Sequence, residues 1–216
     1  MIYKSKHNPF KIVSMFEEEV ANYTGAKYAV AVDNCTNALF LCCMYRSVNG
    51  HRVYIPSKTY LSVPQSVIHA GGEVVFNEVY NDWQGWYELY PFNIWDAAKR
   101  FTSGMYAIPG SLMCLSFHSK KILDIGKGGM VLTDDYEAAE WLKKARYEGR
   151  SEKNYKDDCI KELGWNMYMA PEQAARGLTL MSNLPLFNTD LPEEGGYMDL
   201  SKYPIFEHCE KLNERL

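Results

Sequence analysis

The densest run of reactive side chains is Ser116-Phe117-His118-Ser119-Lys120-Lys121, followed by Gly126-Lys127-Gly128-Gly129. An apolar run, then polar groups and two lysines, then glycines, places a lysine just past a strand end and beside a glycine turn. Ligands of α/β domains gather at the carboxyl ends of strands. A lysine there can form an imine with a carbonyl compound if burial or nearby positive charge lowers its ammonium pKa. Taken alone, Lys121 is also compatible with an ordinary surface position. Asp96, in Trp95-Asp96-Ala97-Ala98, is a carboxylate among apolar residues, expensive to bury unless it meets a cation. The same residue could simply cap a helix. Asn34-Cys35-Thr36-Asn37 offers helix-start amides and a hydroxyl suited to a phosphate, or an ordinary cap. Tyr60, in Lys58-Thr59-Tyr60, follows a strand end where a flat ring could stack, or it is a core tyrosine.

The elements that must position these groups alternate. Ser14 to Tyr23 is expected to be helical, with Ser14 and Glu17 forming a capping box. Strands are expected at Tyr28–Val32, Arg52–Ile55, Glu73–Phe76, Leu112–Phe117 and Gly126–Thr133, with helices at Ala38–Arg46, Leu61–His69, Tyr136–Tyr147 and Ala170–Leu184. Gly149 is a plausible terminator of the third of these helices, and Pro171 suits the first turn of the last. Residues 81–92 carry no periodicity that assigns an element, and Ile94–Ala98 is compatible with a strand end passing into a helix or loop. Beyond Pro185 come prolines, glycines and acids, then an amphipathic tail over 205–216. Alternating strands and helices predict an α/β domain with a largely parallel sheet.

The 216 residues suffice for one sizeable domain or two small ones, and the net charge of −4 gives no electrostatic case for nucleic acid. The opening ten residues are polar, and no apolar run approaches the length of a membrane span, so a cytoplasmic protein without membrane attachment is expected. Six cysteines without a CxxC pair and five scattered histidines argue for reduced thiols and against a metal.

In order, these segments resemble the DegT/DnrJ/EryC1/StrS sugar aminotransferases, which are fold-type I pyridoxal-phosphate enzymes. Asp33 to Leu39 fills the place of a Ser-Gly-Thr-like turn, Pro56-Ser57-Lys58-Thr59-Tyr60 that of Pro-Ser-x-Thr-aromatic, and Trp95 to Lys99 that of Glu-Asp-Ala-Ala-Gln. Ser116 to Lys121 with Gly126 to Gly129 matches Ser-Phe-His-x-x-Lys and its Gly-x-Gly-Gly. Gly164, Asn166 and Met169 match a further motif, and Gln173-Ala174-Ala175 completes the series.

The resemblance implies a three-layer fold with a mostly parallel sheet, the compacted large domain of that fold over residues 1–184. Residues 185–216 would be a short C-terminal remnant, the small domain being largely missing. It implies pyridoxal 5'-phosphate as cofactor, held as a Schiff base on Lys121. Asp96 would pair with the pyridine nitrogen and Tyr60 stack on the ring. Cys35, Thr36 and Ser116 would hold the phosphate, with Lys99 and His118 beside the cofactor. Asn166 would reach the partner subunit's phosphate in a homodimer with shared sites. Lys121 would then move a proton, first as base and then as acid, and would be catalytic with Asp96 and His118. The implied reaction transfers an amino group from an amino acid such as glutamate to a keto-sugar, nucleotide-linked, in nucleotide-sugar biosynthesis. A different reaction or substrate on the same cofactor, such as decarboxylation or a small or modified-nucleotide substrate, and a non-catalytic interaction protein are the alternatives. Relatives that act as dehydratases carry histidine at the lysine position, so Lys121 argues against that branch. Cys35 replaces a usual glycine, Lys99 a usual glutamine, and Tyr168 stands where arginine is common. Only 36 positions separate Tyr60 from Asp96, about half the expected number, and a strand-helix unit is missing there.

Overall fold

The computed structural model describes residues 8, 10–192 and 196–214. Most of the polar opening, the middle of the acidic stretch after Pro185 and the last two positions lie outside the described residues.

Helix α1 (Lys11–Thr24) ends at Gly25, whose φ of 79° lets its N–H return to the Ala21 carbonyl at 2.9 Å. The expected capping box is absent. Ser14 lies inside the helix, where its N–H bonds the Phe10 carbonyl. Glu17 is drawn into the core, where it pairs with Arg146 and accepts the Ala31 N–H at 2.8 Å. A charge partner and a buried amide outcompete a surface cap for that carboxylate.

Strands β1 (Tyr28–Val32), β2 (Arg52–Ile55) and β3 (Glu73–Asn77) alternate with helices α2 (Cys35–Tyr45) and α3 (Ser62–His69). The stretch without periodicity supplies a 3₁₀ turn at Glu78–Asn81 and strand β4 (Tyr87–Leu89), which pairs with β5 (Ile94–Asp96). Strands β6 (Leu112–Ser116) and β7 (Gly129–Thr133) follow, then helices α4 (Tyr136–Ala145) and α5 (Pro171–Met181). The tail forms strand β8 (Glu210–Leu212), parallel to β3, instead of a free amphipathic segment.

One sheet runs β1-β7-β6-β5-β4 and the second β2-β3-β8. Among the described residues, β5–β6, β2–β3 and β3–β8 pair in parallel, while β1–β7, β6–β7 and β4–β5 are antiparallel. The fold is therefore α/β with a mixed sheet. The two sheets meet through one reciprocal pair, Tyr54 N–H to Tyr90 O at 2.9 Å and Tyr90 N–H to Tyr54 O at 3.1 Å. Strand β4 and the residue after it thus bridge β2 and β5.

Side chains of successive strand residues alternate between two cores, which makes the fold three-layered. Val30, Val32, Leu112, Cys114 and Val131 pack with α2, α3 and α4. Ala29, Ala31, Met113, Leu115, Met130 and Leu132 pack with α1 and α5. No helix among the described residues is long and apolar enough to cross a membrane.

Candidate active site

Parallel strands β5 and β6 end side by side, placing Asp96 and Ser116 at one sheet edge. The N-terminus of α2 faces that edge. The Asn34 side chain caps α2 by accepting the Asn37 N–H at 2.8 Å, leaving the Cys35 and Thr36 amides as the first of the helix. Gly129, opening β7, lets the two backbones meet: a Cβ there would lie 2.6 Å from the Asn34 carbonyl oxygen and the Cys35 nitrogen. Cys35, in place of a usual glycine, is an ordinary first helical residue with no positive φ.

Lys121 sits on the loop joining antiparallel β6 and β7. Phe117 N–H bonds Gly128 O at 2.9 Å and closes the loop, and Lys121 N–H bonds His118 O at 2.9 Å. Gly126, at φ 87°, turns the chain with its N–H on Asp124 Oδ1.

These groups line one cleft of about 570 Å³, a size common for small-molecule sites. Cys35, Thr36, Tyr60, Asp96, Lys99, Ser116, His118 and Lys121 all face it. Asn166 does not. It is exposed, bridges to Tyr147 and donates from Nδ2 to Glu148 Oε1 at 3.1 Å. Tyr168 also stands apart, edge-on to Phe10 and Tyr147.

Charge is arranged unevenly in the cleft. Burial pushes the Asp96 carboxyl up, opposed by the Ala98 N–H, the Tyr87 hydroxyl, Lys121 and Lys99. Burial lowers the Lys121 ammonium; Asp96 and Cys35 oppose this and Lys99 reinforces it. A lysine so placed exposes a neutral amine nearer to neutral pH than a solvated one. Burial, then Asp96, raises the Cys35 thiol well above its usual range, which keeps it protonated. Lys99 points inward, 8% exposed, with its ammonium 4.7 Å from the Tyr197 ring centre and 5.2 Å from that of Trp83.

Several lining residues escaped sequence reasoning. Ser62 accepts a 2.8 Å hydrogen bond from the Thr36 hydroxyl. Lys127 reaches the cleft with Lys120 and lies 3.7 Å from Asp33. Leu191 and Pro192 cover one side, held because Leu191 N–H bonds Lys99 O and Arg100 forks onto Asp190. Tyr87 lies behind Asp96 and donates to its Oδ2 at 2.9 Å. Its strand has three residues, too few for alternation to reveal which face is buried.

The sequence profile of the DegT/DnrJ/EryC1/StrS aminotransferase family matches residues 6–88 and 94–193, breaking at the β4–β5 turn. The spore coat polysaccharide biosynthesis protein SpsC of Bacillus subtilis is 27% identical over 223 residues, covering 80% of this chain and 57% of that protein. A UDP-4-amino-4,6-dideoxy-N-acetyl-beta-L-altrosamine transaminase of Campylobacter jejuni is 22% identical, over 81% of this chain and 57% of its own length. A solved DegT DnrJ EryC1 StrS aminotransferase from Brucella abortus superposes with a TM-score of 0.69 at 25% identity, covering 81% of this chain and 59% of that one. The chain spans well under two thirds of each of these relatives. With the profile matching most of its length and the cleft assembled from the motif positions, the chain belongs to the DegT/DnrJ/EryC1/StrS aminotransferase family.

Proposed function

We propose that this chain binds pyridoxal 5'-phosphate on Lys121 and transfers an amino group from an amino acid, glutamate first among candidates, to a keto-sugar, nucleotide-linked. The observation that carries the reading is the convergence of Lys121 and Asp96 in one cleft, with burial moving their pKa values in opposite directions.

The residues present fit the cofactor. Lys99, Lys120, Lys121 and Lys127 line the cleft and suit a phosphate-bearing ligand, and Asp96 is the one carboxylate among the described lining residues, suited to a protonated ring nitrogen. The α2 amides of Cys35 and Thr36, with the hydroxyls of Thr36, Ser62 and Ser116, would hold the phosphate. Asp96 would hold a proton on the ring nitrogen, and Tyr60, exposed at the cleft wall, would cover the ring face. Bound there, the cofactor supplies an electron-withdrawing ring that stabilises negative charge on an attached carbon. Lys121, its amine already biased toward the neutral form, would take the proton from the substrate's amine-bearing carbon as a base and, as an acid, deliver it to the carbon of the cofactor that bears the imine. His118 would border the reacting groups at the mouth.

Sugar as the acceptor is supported by the names of the relatives, which include a GDP-perosamine synthase of Caulobacter vibrioides, 24% identical. A homodimer in the cytoplasm completes the reading, with Asn166, exposed outside its own cleft, serving the site of a second copy. Adding glutamate to cofactor-loaded protein should bleach the visible absorption of the lysine-linked cofactor and release 2-oxoglutarate. A panel of amino acids that yields no keto acid would refute aminotransfer.

A further inference from the structure

The β4–β5 register sets Tyr87 directly opposite Asp96. Tyr87 and Asp96 are each 6% exposed and Thr59 is 2% exposed, so all three are buried, Asp96 at the cleft wall and the other two behind it. The Tyr87 hydroxyl donates to Asp96 Oδ2 at 2.9 Å and also makes a short contact with Thr59 Oγ1. A phenol carries one proton. With that proton on Asp96, Thr59 must donate to the Tyr87 oxygen, so the relay runs Thr59 to Tyr87 to Asp96. The other carboxylate oxygen, Oδ1, accepts the Ala98 N–H at 2.9 Å. Both oxygens are therefore anchored from the protein side. Protonating Oδ2 would require the phenol to turn its proton toward Thr59 and the relay to reverse. The observed direction gives the carboxylate a donor it loses on protonation, so the relay as found favours the charged form.

We propose that Tyr87, backed by Thr59, is a positioning residue that holds Asp96 as an oriented carboxylate for a cationic ring nitrogen. The role for the ring nitrogen rests on the cofactor reading above; the hold on Asp96 does not. Tyr87 lies on β4, inside the first stretch matched by the family profile, which breaks off after Glu88 and resumes at β5; the partner therefore comes from the hairpin that bridges the two sheets. The other groups facing Asp96 are Lys121 from the β6–β7 loop, Lys99 from the segment after β5, Cys35 from α2 and Cys114 from β6.

The test is a carbon-13 NMR titration of the Asp96 carboxyl in cofactor-free protein, its signal assigned with Asp96→Asn. Tyr87→Phe keeps the ring that packs 4.7 Å from Trp83 and removes only the hydroxyl. It should move the Asp96 midpoint to higher pH, a roughly tenfold change in its dissociation constant. Thr59→Val should shift it the same way by less. Cofactor affinity should fall about tenfold in Tyr87→Phe while the adduct on Lys121 still forms. A purely structural tyrosine would lower the melting temperature and leave the midpoint in place. An unmoved midpoint in folded Tyr87→Phe would overturn the proposal. Wild-type protein that takes up no cofactor, with the midpoint still moving in the variant, would sink the cofactor reading and support the hold on Asp96.

Discussion

Replacing Gly129 by alanine separates packing from ligand binding. The new Cβ would sit 2.6 Å from the Asn34 carbonyl oxygen and the Cys35 nitrogen, where ordinary contact starts near 3.4 Å. The Asn34 carbonyl carbon would be nearer still, at 2.4 Å, and backbone cannot rotate away as a side chain can, so β7 and the start of α2 must part by about 1 Å. Overpacking of this kind costs about 1–3 kcal/mol. The displaced amides are those proposed to meet the phosphate, and losing one charge-assisted hydrogen bond of about 1.5–3 kcal/mol weakens cofactor binding by about tenfold or more. Gly177→Ala is the matched control: its Cβ would lie 2.5 Å from the Phe16 ring, on the opposite side of the sheet from α2. Urea unfolding should show both variants destabilised, and cofactor titration should show only Gly129→Ala impaired. Equal cofactor affinity in Gly129→Ala and wild type would refute the cradle at the α2 N-terminus.

The buried Glu17–Arg146 pair gives a second expectation. Glu17→Ala strands a buried guanidinium and should cost about 3–5 kcal/mol in urea unfolding, whereas Glu17→Leu with Arg146→Met should cost far less; equal losses would contradict this. Lys121, with its pKa lowered by burial, should react with acetic anhydride at lower pH than exposed Lys120 in a peptide-mapped labelling series. Lys99→Met removes a charge that lowers the Lys121 pKa, so the labelling profile should move to higher pH. Asp96→Asn removes one that raises it, so the profile should move to lower pH. The opposite order would show that these charges do not reach Lys121. Arg100→Ala should free the segment around Asp190 and speed hydrogen exchange at the Leu191 amide, which bonds Lys99 O; unchanged exchange would show that the fork does not hold that wall.

The apolar run Leu112–Phe117 located the strand that carries Ser116, whereas the three-residue strand that carries Asp96 was legible only as a strand end. It missed β4, whose three residues are held by pairing with β5 and by the Tyr54–Tyr90 bridge, both long-range. The same gap hid Tyr87. Ser14 and Glu17 fit a capping pattern, yet tertiary charge pairing with Arg146 claimed the glutamate. Lys99 was visible as a departure from the motif, but its inward direction depends on Trp83 and on Tyr197, more than 90 residues further along. Lys121 was legible by its spacing from Ser116, whereas its lowered pKa needs the burial that only the folded cleft supplies.

The central claim is attachment of the cofactor at Lys121, and borohydride reduction followed by peptide mass mapping tests it most directly. Protein incubated with pyridoxal 5'-phosphate and reduced should carry one stable adduct, on Lys121, with Lys121→Ala remaining unmodified. No adduct, or one placed on Lys120 or Lys99 in the wild-type chain, would contradict the account.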